Sequence, residues 1–310
     1  MMPGNEPRPR IDDTFAAVVA DLPTDLRREA EHLPHRLGLT RSPDGAWEDF
    51  VVMDPNRDLP RYAAEDPARP GHCRLASGPL LAYRRAHHCA AVYGLIADRI
   101  ADGQVAQSRV FVRLRDEVLR AWIRALGVAT GSPARARAVV GTALRATEWG
   151  NARERRALVR ARCRGEGTLS AREYFAFTSA KLRWFGATAH GLLLSLGEPG
   201  RAGALRRTYD IFSIALQCID DALDDASDRR TRGASFPSAL GFPPGGLLAA
   251  APGLIGRAAS LARAARFHEF GLWLERVTAT LERWPIPGDP LQSSLAAAVL
   301  HAAVEEAHHG

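Results

Sequence analysis

Lysine is almost missing from this chain. Of its 41 basic residues, 40 are arginine and one, Lys181, is lysine. The arginines are scattered through Ala/Leu/Glu sequence and form no dense cluster interleaved with stacking aromatics. They read as helix-surface residues, and nucleic acid is not an expected partner. Long apolar runs are missing too. The richest stretch, around Leu247–Ile255, is broken by Pro252 and Gly253, far short of the ~20 residues a membrane span needs, so an integral membrane protein is not expected. The opening MMPGNEPRPRIDD has no apolar centre and does not read as a signal peptide. Cysteine is sparse. Cys73, Cys89, Cys163 and Cys218 make no CxxC and no metal-like spacing, and are expected as reduced, buried thiols of a cytoplasmic protein. No phosphate loop, dinucleotide fingerprint or serine nucleophile elbow is present. What remains is ordinary globular composition: 310 residues, 46% hydrophobic and 25% charged. That excludes a disordered, collagen-like or disulfide-stapled chain.

Period-two strand patterns and repeats of 20–50 residues are absent, whereas helical signals recur along the chain. After a tail at 1–11, the spacing predicts helix over 12–39. Short helices and turns follow through the Pro-, Asp- and Gly-rich segment 40–76. Long helices are then expected over 77–103, opened by Pro79, over 109–128, and over 132–162, opened by Ser132-Pro133. Ser170 with Glu173 suggests a capping box for a helix to Leu196. Further helices are expected over 199–228 and near 246–266, 267–284 and 290–308. The predicted fold is a single all-α domain of long helices over 12–310.

The strongest chemical signal is Gln217-Cys-Ile-Asp220-Asp221-Ala-Leu-Asp224-Asp225-Ala-Ser-Asp228. At 100° per residue, Gln217, Asp220, Asp221, Asp224 and Asp228 fall within about a 100° arc. The aspartates also crowd the C-terminal end of their helix, where the macrodipole disfavours anions and i,i+4 pairs repel. Carboxylates gathered after an apolar approach call for a cation. Hard oxygen donors without His or Cys favour Mg²⁺, with Mn²⁺ as its substitute, shared with substrate phosphates. A solvated acidic helix end is the competing reading. A second DxxxD, Asp98 and Asp102, ends another helix with an apolar lead-in, and two such ends facing each other would make a clamp. His87 and His88, on that same helix, read as packing or surface residues.

These residues resemble a known group. Gln217–Asp224 is similar to the second aspartate-rich motif, QxxDDxxD, of trans-prenyl diphosphate synthases. Asp98 to Asp102 resembles their first motif, DDxxD, with Arg99 at its second position. Tyr174 and, seven residues on, Lys181 resemble the family's helix whose lysine grips the diphosphate. Glu148-Trp-Gly150-Asn151 resembles its glycine–glutamine element. The likeness covers about residues 77–240. A GKxxRP-like element and the arginine pair after the first motif are missing. The short loop after Asp228, ending Arg232-Gly233-Ala-Ser-Phe236-Pro237, with the Asp224/Asp228 DxxxD, is similar to squalene and phytoene synthases. All of these share the class I isoprenoid synthase fold, so the resemblance implies a bundle of long helices around a central apolar cavity.

The resemblance implies a Mg²⁺-dependent prenyltransferase that ionises an allylic prenyl diphosphate of C10–C20 between two Asp-rich faces. The metal ligands would be Asp98, Asp102, Asp220, Asp221, Asp224 and Asp228. Lys181, with Arg109 or Arg232, would bind the diphosphate, and Gln217, Asp220, Asp224 and Lys181 would serve catalysis. Tyr93, Phe177, Trp184 and Phe212 would line the cavity and set chain length, against a plainer reading as core packing. The resemblance also implies a homodimer. The missing acceptor-site residues keep a terpene cyclase or a head-to-head synthase open as alternatives. Arg99 keeps open a non-catalytic partner subunit of an active synthase.

Overall fold

The computed structural model describes residues 10–243 and 245–309, apart from the side chains of 304–309. Its helices in chain order are α1 (Ile11–Ala20), α2 (Thr24–Ala30), α3 (Leu33–Arg36), α4 (Trp47–Phe50), α5 (Asp54–Ala63), α6 (Ser77–Ala101), α7 (Arg109–Thr130), α8 (Pro133–Arg164), α9 (Ala171–Lys181), α10 (Arg183–Ser195), α11 (Pro199–Arg232), α12 (Phe236–Ala239), α13 (Gly246–Ala264), α14 (His268–Leu281) and α15 (Pro290–His309). Two short strands, β1 (Glu65–Asp66) and β2 (Arg69–Cys73), pair between α5 and α6. The class is all-α, as the sequence predicts. No helix among the described residues is long and apolar enough to cross a membrane.

Three boundaries differ from the sequence reading. Most of the expected tail at 1–11 lies outside the described residues, but Ile11 already begins α1 and is buried. The helix expected over 12–39 is three helices, because Pro23 caps α2 and Pro34 opens α3. The helix expected from Ser170 to Leu196 breaks at Leu182. Ser170 Oγ accepts from the Glu173 amide at 3.2 Å, as a cap should, while the Glu173 carboxylate takes a bond from Arg160 at 2.7 Å. At the break the amide of Phe185 reaches back only three residues, to Leu182 O at 3.2 Å. No glycine or proline marks that place. The cysteines also differ from expectation. Cys89 and Cys218 are buried, but Cys73 and Cys163 are exposed, on a strand exposed along its length and on the outer side of α8.

The chain divides into two compact units. The first comprises Met1–Asp66, His72–Gly141 and Ala187–Glu198. Here α6 packs along α7 and against α5 and α1. Its middle is buried on nearly every side from Ala86 to Ile96, apart from the outer turns. Asp58, where α5 kinks out of helical geometry before Pro60, receives both arms of Arg84 at 2.7 Å each. His87 and His88 are packing residues, bonded to the backbone carbonyls of Asn56 (2.9 Å) and Arg57 (3.0 Å). His88 also meets Thr14 Oγ1 at 2.9 Å, which ties α1, α5 and α6 together. Burial pushes His87 down to about 3 and His88 to about 4, so both rings are neutral near pH 7.

The second unit comprises Pro67–Gly71, Thr142–Gly186 and Pro199–Gly310. Its axis is α11, 34 residues and so about 51 Å long. Leu205, Tyr209, Ile211, Phe212, Ile214, Ala215 and Cys218 are fully or almost fully buried along it. This helix packs on α13, which in turn packs on α14 and α15, and α9 lies against both α11 and α15. The apolar stretch around Leu247–Ile255 is the core helix α13, which runs through Pro252 unbroken.

Candidate functional site

The site of greatest chemical interest lies inside the second unit, where α8, α9 and the last turns of α11 come together. Helices α8 and α9 approach closely at Gly150. A Cβ built there would stand 2.5 Å from Lys181 N, 2.7 Å from Phe177 O and 2.9 Å from Lys181 Cα, so only glycine fits. One turn beyond Gly150, on the same side of α8, Glu154 meets Lys181: Nζ donates to Oε1 at 3.0 Å. Lys181 is 5% and Glu154 8% exposed. The single lysine of the chain is therefore buried, in a charge-assisted bond of the stronger kind.

Seven residues before Lys181, and so on the same side of α9, Tyr174 donates its hydroxyl to Asp221 Oδ2 at 2.6 Å. Gln217 Nε2 donates to Asp221 Oδ1 at 2.9 Å and to Asp220 Oδ2 at 3.2 Å. Asp221 is 6% exposed. Burial lifts its carboxyl to about 7, against the bonds from Tyr174 and Gln217 and the charge of Lys181, which favour the anion. Asp220 and Asp224, by contrast, are exposed. The 100° arc of the acidic face thus straddles the edge of the core, with Asp221 turned inward and Asp220 and Asp224 toward water. Asp225 accepts from Arg229 at 3.0 Å and from the buried Ser235, which ties the loop into α12 back onto α11. Asp228 pairs with Arg232 at 3.4 Å.

Beneath this polar cluster lie three mutually adjacent rings. Tyr174 and Phe177 are 5.6 Å apart, Tyr174 and Phe236 5.7 Å, and Phe177 and Phe236 5.5 Å. Phe212 packs further back, against Tyr209 (5.7 Å) and Trp273 (5.5 Å). Trp184 stacks on Phe185 at 3.7 Å. Tyr174, Phe177, Phe236, Phe212, Tyr209 and Trp184 are buried core residues, while Phe185 and Trp273 are half-buried.

The other expected site residues belong to the first unit. Asp98 and Asp102 are half-buried at the C-terminal end of α6, one turn apart, and the Asp102 amide caps onto Asp98 O at 2.9 Å. Arg99 lies over the Phe50 ring at 6.0 Å. Tyr93 is buried against Trp122, 5.8 Å between centroids. Arg109 is exposed in the first turn of α7, which Ser108 caps by accepting from the Phe111 amide at 3.2 Å.

The structure therefore brings Gln217, Asp220, Asp221, Tyr174 and Lys181 into one cluster and commits Asp225 and Asp228 to ion pairs. Glu154 is the member that the sequence reading missed. A signal for it existed: a glycine deep inside a helix marks close approach, and the acid four residues on shares its face. Among the described residues, no group of three or more His, Cys, Asp or Glu side chains is arranged to hold a metal ion. Two exposed carboxylates one turn apart, Asp220 and Asp224, nevertheless suit Mg²⁺ or Mn²⁺, since Mg²⁺ takes one or two carboxylates and completes its shell with waters and phosphates. Comparison with family models, with curated proteins and with solved structures gave no match.

Proposed function

We propose that this chain is a Mg²⁺-dependent enzyme of the class I isoprenoid synthase type, which ionises an allylic prenyl diphosphate of C10–C20 and transfers the cation to an acceptor. One observation carries this reading. The chain's only lysine is held in a buried cluster beside the Asp-rich end of α11, with a turn of exposed carboxylates next to it. Anion-gripping cation and metal-type carboxylates are the two halves of a diphosphate site.

In this reading Asp220 and Asp224 would hold Mg²⁺, which supplies Lewis-acid stabilisation of a leaving diphosphate. The chain's own groups do the rest. Lys181 offers a positive charge in a site that excludes most water, where it is worth more than on a surface. Gln217 fixes Asp220 and Asp221 relative to each other through its two bonds. Tyr174 holds Asp221 inward. The Tyr174, Phe177 and Phe236 rings supply an apolar floor that keeps water from a carbocation, and a ring face can add ~0.5–2 kcal/mol of cation stabilisation.

The test is diphosphate release from C10, C15 and C20 allylic diphosphates, with and without Mg²⁺, and with and without isopentenyl diphosphate. Mg²⁺-dependent release is the expected result. Hydrocarbon or alcohol from the allylic substrate alone identifies cyclisation; a longer diphosphate formed only with the second substrate identifies transfer. Asp224→Ala should abolish release. Its side chain is exposed, so its melting temperature should stay close to the parent's. Absence of Mg²⁺-dependent release from all three substrates would overturn the proposal.

A further inference from the structure

We infer that Glu154 is a positioning residue: it fixes the Lys181 ammonium at the end of α9 in the place from which that group meets a diphosphate. The inference rests on the functional reading above and deepens it. Lys181 is the last residue of α9, and the chain leaves helical geometry at Leu182 directly after it. A lysine stem is long and flexible, so the place of its ammonium depends on the group that holds it. The direction comes from α8. Gly150 lets the two backbones meet, and Glu154, one turn on, takes the ammonium at 3.0 Å from a site itself almost wholly buried. Lys181 also acts through its charge on Asp221, a carboxyl on the α11 side. An ammonium between two carboxylates needs one of them to decide its place. Asp221 already accepts from Tyr174 and Gln217, one bond to each oxygen. Glu154 accepts from Lys181 itself, at 3.0 Å. Removing it leaves Lys181 to move onto Asp221, away from an incoming anion.

The composition of the chain makes this measurable. Protein labelled with ¹³C-lysine carries one lysine side-chain signal set, that of Lys181. The probe is inorganic pyrophosphate with Mg²⁺, added to the full-length chain, with Glu154→Gln and Glu154→Asp compared with the parent. In the parent, the two ε-methylene protons should be inequivalent, as for a fixed side chain, and should shift on adding pyrophosphate. In Glu154→Gln, which keeps the volume and removes the charge, they should merge, and pyrophosphate should bind about tenfold more weakly, in keeping with the loss of a charged hydrogen bond. Glu154→Asp should recover part of both effects. A merely structural role would leave pyrophosphate affinity equal in folded Glu154→Gln and parent, and that result overturns the inference. A Lys181 signal that responds to Glu154→Gln but never to pyrophosphate overturns the diphosphate reading itself and is distinguishable from the first failure.

Discussion

Replacing Gly150 with alanine adds a single methyl group at the crossing of α8 and α9. Two effects oppose each other. Alanine is the better helix former by about 1 kcal/mol in a helix interior, so with nothing nearby the change would stabilise. The new Cβ, however, would lie 2.5–2.9 Å from three backbone atoms of Phe177 and Lys181. Carbon needs roughly 3.5 Å, and backbone cannot rotate aside as a side chain can. The helices must part by about 1 Å. Overpacking of this sort costs about 1–3 kcal/mol and more where the neighbours are rigid, so the clash outweighs the propensity. Gly203→Ala in α11 is the internal control. Its Cβ would meet only the flexible end of Arg207 at 3.7 Å, leaving propensity to decide. Urea unfolding should therefore move in opposite directions for the same chemical change: Gly150→Ala less stable by about 1–2 kcal/mol, Gly203→Ala more stable by about 0.5–1 kcal/mol. Because Glu154 rides on the same helix, parting at Gly150 also stretches the 3.0 Å bond to Lys181, which the lysine label would detect. A Gly150→Ala protein as stable as the parent would refute the reasoning.

Two further expectations concern pH. Asp221 has its carboxyl lifted from 3.8 to about 7 by burial, so the folded chain holds a proton there that the unfolded chain gives up near pH 4. Its contribution is present at acid pH and lost as pH rises through about 7. Asp221→Asn should then gain on the parent between pH 5 and pH 8, by about 2–4 kcal/mol, in urea melts with chelator present; a gap that does not change with pH would contradict the burial argument. The signs reverse for His87 and His88, both pushed down by burial. Their contribution is complete above pH 6.5 and lost as pH falls toward 4, because the unfolded chain takes up protons first. His88→Gln should flatten the fall in stability between pH 7 and pH 5, and an unchanged slope would count against it.

Much of this molecule was legible in its residues. The six long helices from α6 onward follow from apolar periodicity and from local starts such as Pro79, Ser132-Pro133 and Pro199, whose physics is complete within a few residues of the chain. The acidic segment was legible for the same reason: helical spacing alone puts Gln217, Asp220, Asp221, Asp224 and Asp228 on one arc. The chain by itself could not say where that arc meets the core. Burial of the α11 flank by its neighbours turned Asp221 inward to Tyr174, left Asp220 and Asp224 in water, and made one of the arc's four carboxylates a buried acid. The break at Leu182 was equally invisible, since no local breaker marks it. Glu154 is the sharpest case. In sequence it is one acid in an arginine-rich helix; only the passage of α9 over Gly150 made it the partner of the chain's single lysine, because long-range contacts decide which side chains share a buried space.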